Sequence, residues 1–231
     1  MTDAGPIPGI GRPIPGMSAA RVGGSKLTHR YGRRTTGVCD LDFEFTAPGA
    51  VAVTGPNGSG KSTLLRILAG LLRPSAGATS VHVGGRDHPP ARRREVLGLA
   101  TPELSFYEEF TATENLVFAA EARRLEAPAR AAAAALDHVG LATRSSDRVS
   151  AFSSGMKQRL RLAFALLHEP PILLLDEPGS HLDETGREAV RDVVARHAAR
   201  GLVMLATNDP EEIQLAERRL ELHGHRLGDP S

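Results

Sequence analysis

The chain has 231 residues, 41% of them hydrophobic and 24% charged, which suffices for one large α/β domain with a single core and is too short for two independent globular domains. A formal charge of +1 gives no electrostatic case for nucleic acid or anionic lipid as the principal ligand, and the clusters Arg92-Arg93-Arg94 and Arg123-Arg124 read as solvated faces. One cysteine, Cys39, excludes an internal disulfide, and no apolar run approaches the roughly 18 residues of a membrane span; with no secretory pattern at the N-terminus, a reducing, cytosolic setting is expected.

Residues 1 to about 25, including Gly5-Pro-Ile-Pro-Gly9, are rich in Pro and Gly and hold too few large apolar side chains to offset the entropy of ordering. They read as a disordered tail. From Leu27 the pattern alternates, and Cys39-Asp-Leu-Asp-Phe-Glu-Phe45 reads as part of an antiparallel strand set, whereas Ala50 to Thr54 reads as a buried strand. A glycine-rich turn follows, then a helix from Lys61 to Leu72 with Leu64, Leu65, Leu68 and Leu71 on one face and Pro74 and Gly77 beyond its end. The stretch from about 86 to 160, with helices expected over Thr113 to Arg124 and Pro128 to Val139, carries little strand signal and reads as a helical lobe. Ile172 to Leu175 and Leu202 to Ala206 are apolar enough for strands buried on both faces. Between them Glu184 to Arg200, closed by Gly201, reads as a helix, so parallel strands with helical crossovers are expected.

Gly55-Pro56-Asn57-Gly58-Ser59-Gly60-Lys61-Ser62 matches G-x-x-x-x-G-K-[ST] between a predicted strand and a predicted helix, which is the context the pattern requires. The glycines let successive N–H groups turn inward on a phosphate, and the helix N-terminus adds a favourable dipole. Lys61 is placed to reach β- and γ-phosphate oxygens of ATP, Ser62 to ligate Mg²⁺, and Thr63 to contact the α-phosphate. Downstream, Ile172-Leu-Leu-Leu-Asp176-Glu177-Pro178 sets two carboxylates at the C-terminal end of a buried strand. On its own such a pair is more often a plain strand-to-loop junction. With the phosphate loop upstream, Asp176 becomes a Mg²⁺ ligand through water and Glu177 the general base that polarises attacking water.

The run Phe152-Ser153-Ser154-Gly155-Met156-Lys157-Gln158-Arg159, shortly before that strand, resembles the LSGGQ signature of ABC transporter nucleotide-binding domains. The resemblance covers nearly everything after residue 25, about 26 to 228. It implies a P-loop α/β domain of ABC type with a mixed sheet, an antiparallel β edge and an inserted helical lobe. It further implies that two such domains, a homo- or heterodimer, sandwich two ATP molecules, with Ser153 and Gly155 closing over a γ-phosphate held by the second copy, and that a transmembrane permease subunit is the partner. By the same resemblance Tyr31 stacks on adenine and Asp183 is the aspartate that couples the two sites; Tyr31 otherwise reads as packing, and Asp183 as a helix N-cap.

Two positions depart from the family pattern. Its glutamine that touches Mg²⁺ falls near Pro102-Glu103, where Glu103 is the candidate; a carboxylate still ligates Mg²⁺ but adds negative charge near the γ-phosphate. Its switch histidine is Asn208, which donates a hydrogen bond but carries no proton or charge. Slow hydrolysis is therefore expected rather than none.

The expected role is an ATP-hydrolysing subunit peripheral to the membrane, leaning to export because no regulatory segment follows the domain. The rivals are an ABC-family ATPase acting on a non-membrane target and an ATP-gated dimerisation switch. Glu108 to Thr111 and Thr113 to Leu116 are the candidate docking surface for the membrane partner. His223 and His225, read on a strand with no nearby thiol, do not make a zinc site.

Overall fold

A computed structural model describes residues 20–32 and 35–223. Residues 1–19, most of the expected tail, lie outside that range, as does His225. The remainder of the tail does not behave as expected. Strand β1 (Arg21–Tyr31) starts inside it, because Val22 is fully buried and pairs with Phe45 on one side and Val81 on the other.

Strands of both orientations occur, divided between two sheets. An antiparallel sheet runs in the order β2 (Thr35–Thr46), β1, β4 (Ala76–Val83), β5 (Arg86–Asp87). The second sheet is parallel throughout, in the order β6 (Leu97–Ala100), β7 (Ile172–Asp176), β8 (Leu202–Ala206), β3 (Gly49–Thr54), β9 (Arg218–Glu221). Strands β7 and β8 are buried at every residue, which is why they read as unbroken apolar runs. Their side chains alternate between two cores. Ile172, Leu174, Leu202 and Met204 meet helix α1 (Lys61–Leu68) and the antiparallel sheet, while Leu173, Leu175, Val203 and Leu205 meet the helical side. At about 1.5–3 kcal/mol per fully buried aliphatic side chain, these two layers hold the loops at the C-terminal strand ends in place.

Strand β6 corrects the reading of 86–160 as wholly helical. Leu97-Gly98-Leu99-Ala100 is too short to declare itself, and it becomes a strand by pairing in parallel with β7. Helices α2 (Ala112–Ala122), α3 (Pro128–His138) and α4 (Ser154–Leu166) build the lobe proper. Thr111 and Glu114 form a reciprocal capping box on α2, Ser153 caps α4, and Asp183 caps α5 (Glu184–Ala198). The short α6 (Pro210–Ile213) follows β8, and β9 ends at Glu221, so His223 lies beyond the strand assigned to it.

Helix α1 stops four residues before the expected Leu72. Gly70 turns the chain with φ +76°, and a Cβ there would lie 2.3 Å from the Pro90 carbonyl oxygen. The same corner corrects the solvated reading of the arginine run. Arg92 and Arg94 are exposed, but Arg93 is buried and donates five hydrogen bonds: to the Ile67 and Leu68 carbonyls that end α1, to Thr79 O and Oγ1, and to His88 O. A cation at the C-terminus of a helix also meets the favourable end of its dipole. Arg123 is half-buried as well, with its guanidinium carbon 4.7 Å from the centre of the Phe164 ring.

Candidate functional site

The loop between β3 and α1 is shaped by glycines that no other residue replaces. Gly60, the residue before the helix, has φ +101°, and a Cβ on it would fall 1.4 Å from the carbonyl oxygen of Gly37 on β2. No side chain caps α1, so its first N–H groups are left to an anion. Lys61 is buried and folds its ammonium back onto the loop, 2.7 Å from Gly55 O and 3.4 Å from Pro56 O. Burial pushes its pKa down, opposed by Glu177 and Asp176. Pro56, Asn57 and Gly58 form the exposed tip, and Ser59 closes the turn with its N–H on Pro56 O at 3.0 Å. Above this floor lies an open cleft of about 710 Å³ lined by Asn57, Gly58 and residues 60–63 of the loop and helix start, with Tyr31, Gly37 and Glu177 around them. Tyr31 is 44% exposed, its hydroxyl lies 3.1 Å from Thr63 Oγ1, and its ring packs edge-to-face with that of His29 at 4.7 Å between centres.

Next to Ser62, Asp176 is buried and its Oδ1 has no hydrogen-bond partner. Burial pushes its carboxyl up; the Ser62 hydroxyl opposes this, and Glu103 and Glu177 add to it. An orphaned carboxylate oxygen beside the Ser62 hydroxyl is a pair of hard oxygen donors that fits a Mg²⁺ ion also bound by phosphate oxygens. Glu103 is held away from that point by Arg66 of α1 and by the Thr101 hydroxyl. Burial alone would raise its carboxyl, but Thr101, its own backbone N–H and Arg66 together hold it below the usual range.

Glu177 stands one residue past β7 with φ +47°, a left-handed conformation rare outside glycine, and its side chain is exposed toward the cleft. Two groups fasten its backbone. Its N–H donates to Ala206 O at 2.9 Å, and the buried Gln158 amide donates to Glu177 O at 3.1 Å and Pro178 O at 3.2 Å. Asn208, just past β8, donates to Asn57 Oδ1 at 3.1 Å and so stands over the loop. Behind it the buried Glu212 accepts the Gly179 N–H at 2.6 Å, and burial pushes its carboxyl up. A Cβ on Gly179 would lie 2.2 Å from that carboxylate oxygen.

Tyr31, Gly37, Asn57, Gly58, residues 60–63 and Glu177 line the cleft; Asp176 joins them through the Ser62 hydroxyl, Asn208 through Asn57, and Glu103 is tied to Arg66 of α1. Ser153, Gly155 and Asp183 neither line the cleft nor hydrogen-bond a residue that does. Ser153 accepts the Met156 N–H at 3.2 Å, and a Cβ on Gly155 would sit 3.3 Å from His181 O; Asp183 accepts the Gly186 N–H at 2.9 Å. Gly37, Arg66, Gln158 and Glu212 were not singled out from the sequence. Only Gly37 had a signal there, a glycine inside a strand pattern, which marks close backbone approach. Among the described residues no cluster of three or more His, Cys, Asp or Glu side chains suits a metal ion held by protein alone.

Comparison with known proteins decides the lineage. A family profile described as ABC transporter matches residues 38–180, more than half of the chain. The chain belongs to the ABC transporter family.

It is similar to the linearmycin resistance ATP-binding protein LnrL of Bacillus subtilis, 33% identical over 77% of this chain and 58% of that protein. It resembles the cytochrome c biogenesis ATP-binding export protein CcmA of Rhodopseudomonas palustris at 39% identity, over 78% of this chain and 88% of that one. It also resembles the aliphatic sulfonates import ATP-binding protein SsuB of Burkholderia thailandensis at 33%, over 92% and 61%. The chain therefore spans less than two thirds of the length of LnrL and of SsuB. In fold it matches the ATP-binding cassette MJ0796 in its dimeric post-hydrolysis state bound to ADP and Pi, with TM-score 0.76 and 23% identity over 89% of this chain and 97% of that one. This domain is accordingly an ABC-type ATPase domain, whose family uses ATP with Mg²⁺.

Proposed function

We propose that this chain binds Mg-ATP in the cleft, hydrolyses it slowly and, as half of a two-domain sandwich, drives a separate transmembrane subunit, in the direction of export. The observation that supports the sandwich is that the phosphate cradle at the start of α1 and the Ser153-Gly155 loop at the start of α4 stand apart within one chain. A second nucleotide-binding domain supplies the missing half of each site.

In this reading adenine stacks on Tyr31 and the N–H groups of residues 58–63 cradle the phosphates. Lys61 leaves the Gly55 carbonyl for the β- and γ-phosphate oxygens, a change favoured because its charge is then better compensated than by carbonyls. Ser62, Asp176 and Glu103 would hold Mg²⁺, which neutralises charge building on the phosphate oxygens. Glu177 takes the proton of the attacking water, and Asn208 donates to the γ-phosphate. Asn208 retains a donor, so the cost of lacking histidine falls short of the roughly 10²–10³ lost with a whole donor.

The docking surface assigned to Glu108–Thr111 and Thr113–Leu116 gains support from three aromatic rings in and beside it that are left outside the core. Tyr107, Phe110 and Phe118 are 45–55% exposed and stand within 5.4–5.9 Å of one another through Tyr107. Asn115 anchors the segment by bonding Tyr107 N, Tyr107 O and Thr111 O. No helix among the described residues is long and apolar enough to cross a membrane, in keeping with a peripheral, cytoplasmic subunit. Export is supported by the likeness to CcmA, a named export protein covered over most of its length.

The test is a detergent-phase capture of the Glu177→Gln protein with Mg-ATP, identifying partners by mass spectrometry. A polytopic membrane protein recovered with it supports the reading. Only soluble partners, or only itself, from well-solubilised membranes overturns it.

A further inference from the structure

We propose that Arg161 and Gln158 are positioning residues that tie the 101–105 segment to the backbone of Glu177, so that the base is set for catalysis only while that segment is in place. This rests on Glu177 being the general base.

Gln158 and Arg161 lie three apart on α4 and so share a face. Arg161 Nε donates to Leu104 O at 2.9 Å, and its Nη1 donates to Gln158 Oε1, also at 2.9 Å. Guanidinium has donors only, so its contact fixes which end of the Gln158 amide faces it. The NH₂ end must then point the other way, toward the carbonyls of Glu177 and Pro178, and it bonds both. These are the carbonyls of the residue with φ +47° and of its neighbour, where the backbone most needs external fastening.

The far end of the chain of bonds is as specific. Leu104 follows Glu103, whose carboxylate attracts the Arg161 guanidinium while bonded to Arg66 and Thr101. A shift of residues 101–105, whether from Glu103 moving toward the metal or from pressure on the adjoining Tyr107 surface, withdraws Leu104 O and Glu103 from Arg161. Gln158 then loses the contact that orients its amide, and a flipped amide would present an oxygen to two carbonyl oxygens. Hydrogen bonding therefore runs from Leu104, beside the candidate metal ligand Glu103, through Arg161 and Gln158 to the backbone of the base, by way of two side chains that do not line the cleft.

The experiment compares wild type, Arg161→Ala, Arg161→Lys, Gln158→Met and the Arg161→Ala/Gln158→Met double variant in the full chain. Methionine keeps the volume of the buried side chain and removes its donors. Amide hydrogen exchange is read over 101–106 and 176–181, alongside phosphate release and the affinity for a fluorescent ATP analogue. Exchange in Arg161→Ala should rise about tenfold in both segments, as expected when a local restraint is lost. Turnover should fall between about tenfold and a hundredfold with nucleotide affinity within about twofold of wild type, since a small misplacement of a base acts on rate. The double variant should be no slower than the slower single one, because both sit in one relay. Lysine, which cannot form the two-pronged contact, should restore only part. Unchanged exchange over 176–181 in Arg161→Ala, or losses in turnover that multiply in the double variant, would overturn the proposal. Wild-type turnover in Glu177→Gln would instead remove the base assignment while leaving the exchange result to stand.

Discussion

Two histidines make the stability of this protein fall with acid in a way that can be calculated. His197 on α5 is 2% exposed and His168 lies just past α4; their ring nitrogens make no well-formed hydrogen bond, with only weak approaches to the backbone of Pro171 and Leu97 respectively. Burial, followed by the nearby Arg200, pushes His197 down to about 4, and burial followed by Arg123 pushes His168 down to about 4. The folded value lies below the ordinary 6.5, so the unfolded chain takes up these protons first. The contribution is complete above about pH 6.5 and declines as pH falls toward 4. From those two values, each histidine costs about 2 kcal/mol between pH 7.5 and 5.0, or about 4 kcal/mol together. Asp176 and Glu212, whose carboxyls burial raises, work in the opposite sense, but they are common to all variants and cancel in a difference. The assay is urea unfolding of wild type, His197→Leu and His168→Leu/His197→Leu at both pH values. Between them the drop in stability should shrink by about 2 kcal/mol in the single variant and about 4 in the double. Equal pH dependence in all three proteins would refute the reasoning.

Replacing Arg93 by Ala leaves several buried carbonyls without donors and should lower stability by about 3–5 kcal/mol in a urea titration at pH 7.5; lysine, with fewer donors and no fork, should rescue little. Thr111→Ala removes one half of the α2 capping box and should cost about 1 kcal/mol by the same measurement. Asn208→His, which restores a group able to carry a proton at the γ-phosphate, should raise turnover in a phosphate-release assay while leaving nucleotide affinity nearly unchanged.

The glycine-rich turn between β3 and α1 was legible because its motif carries its own geometry: a buried strand, glycines and a helix start, all local in sequence. Asp176 and Glu177 were legible for the same reason, standing where β7 ends. Strand β6 was not, since four apolar residues with a glycine among them take their conformation from β7 alongside. The start of β1 was hidden by the Gly-Pro character of what precedes it, although Val22 is held between two neighbouring strands. Arg93 read as solvent-facing because a run of three arginines says nothing of which one turns inward. Gln158 and Glu212 act through backbone groups 19 and 33 residues away, pairings that only the folded chain brings together. Ser153, Gly155 and Asp183 were legible as a motif, yet within one chain they stand apart from the cleft.

The most direct test of the central claim, that this cleft hydrolyses ATP with Glu177 as its base, is steady-state phosphate release with Mg-ATP by wild type and Glu177→Gln. The account predicts slow but measurable turnover for wild type and a fall of about a hundredfold or more in the variant with ATP binding retained. Equal rates for the two proteins would contradict it.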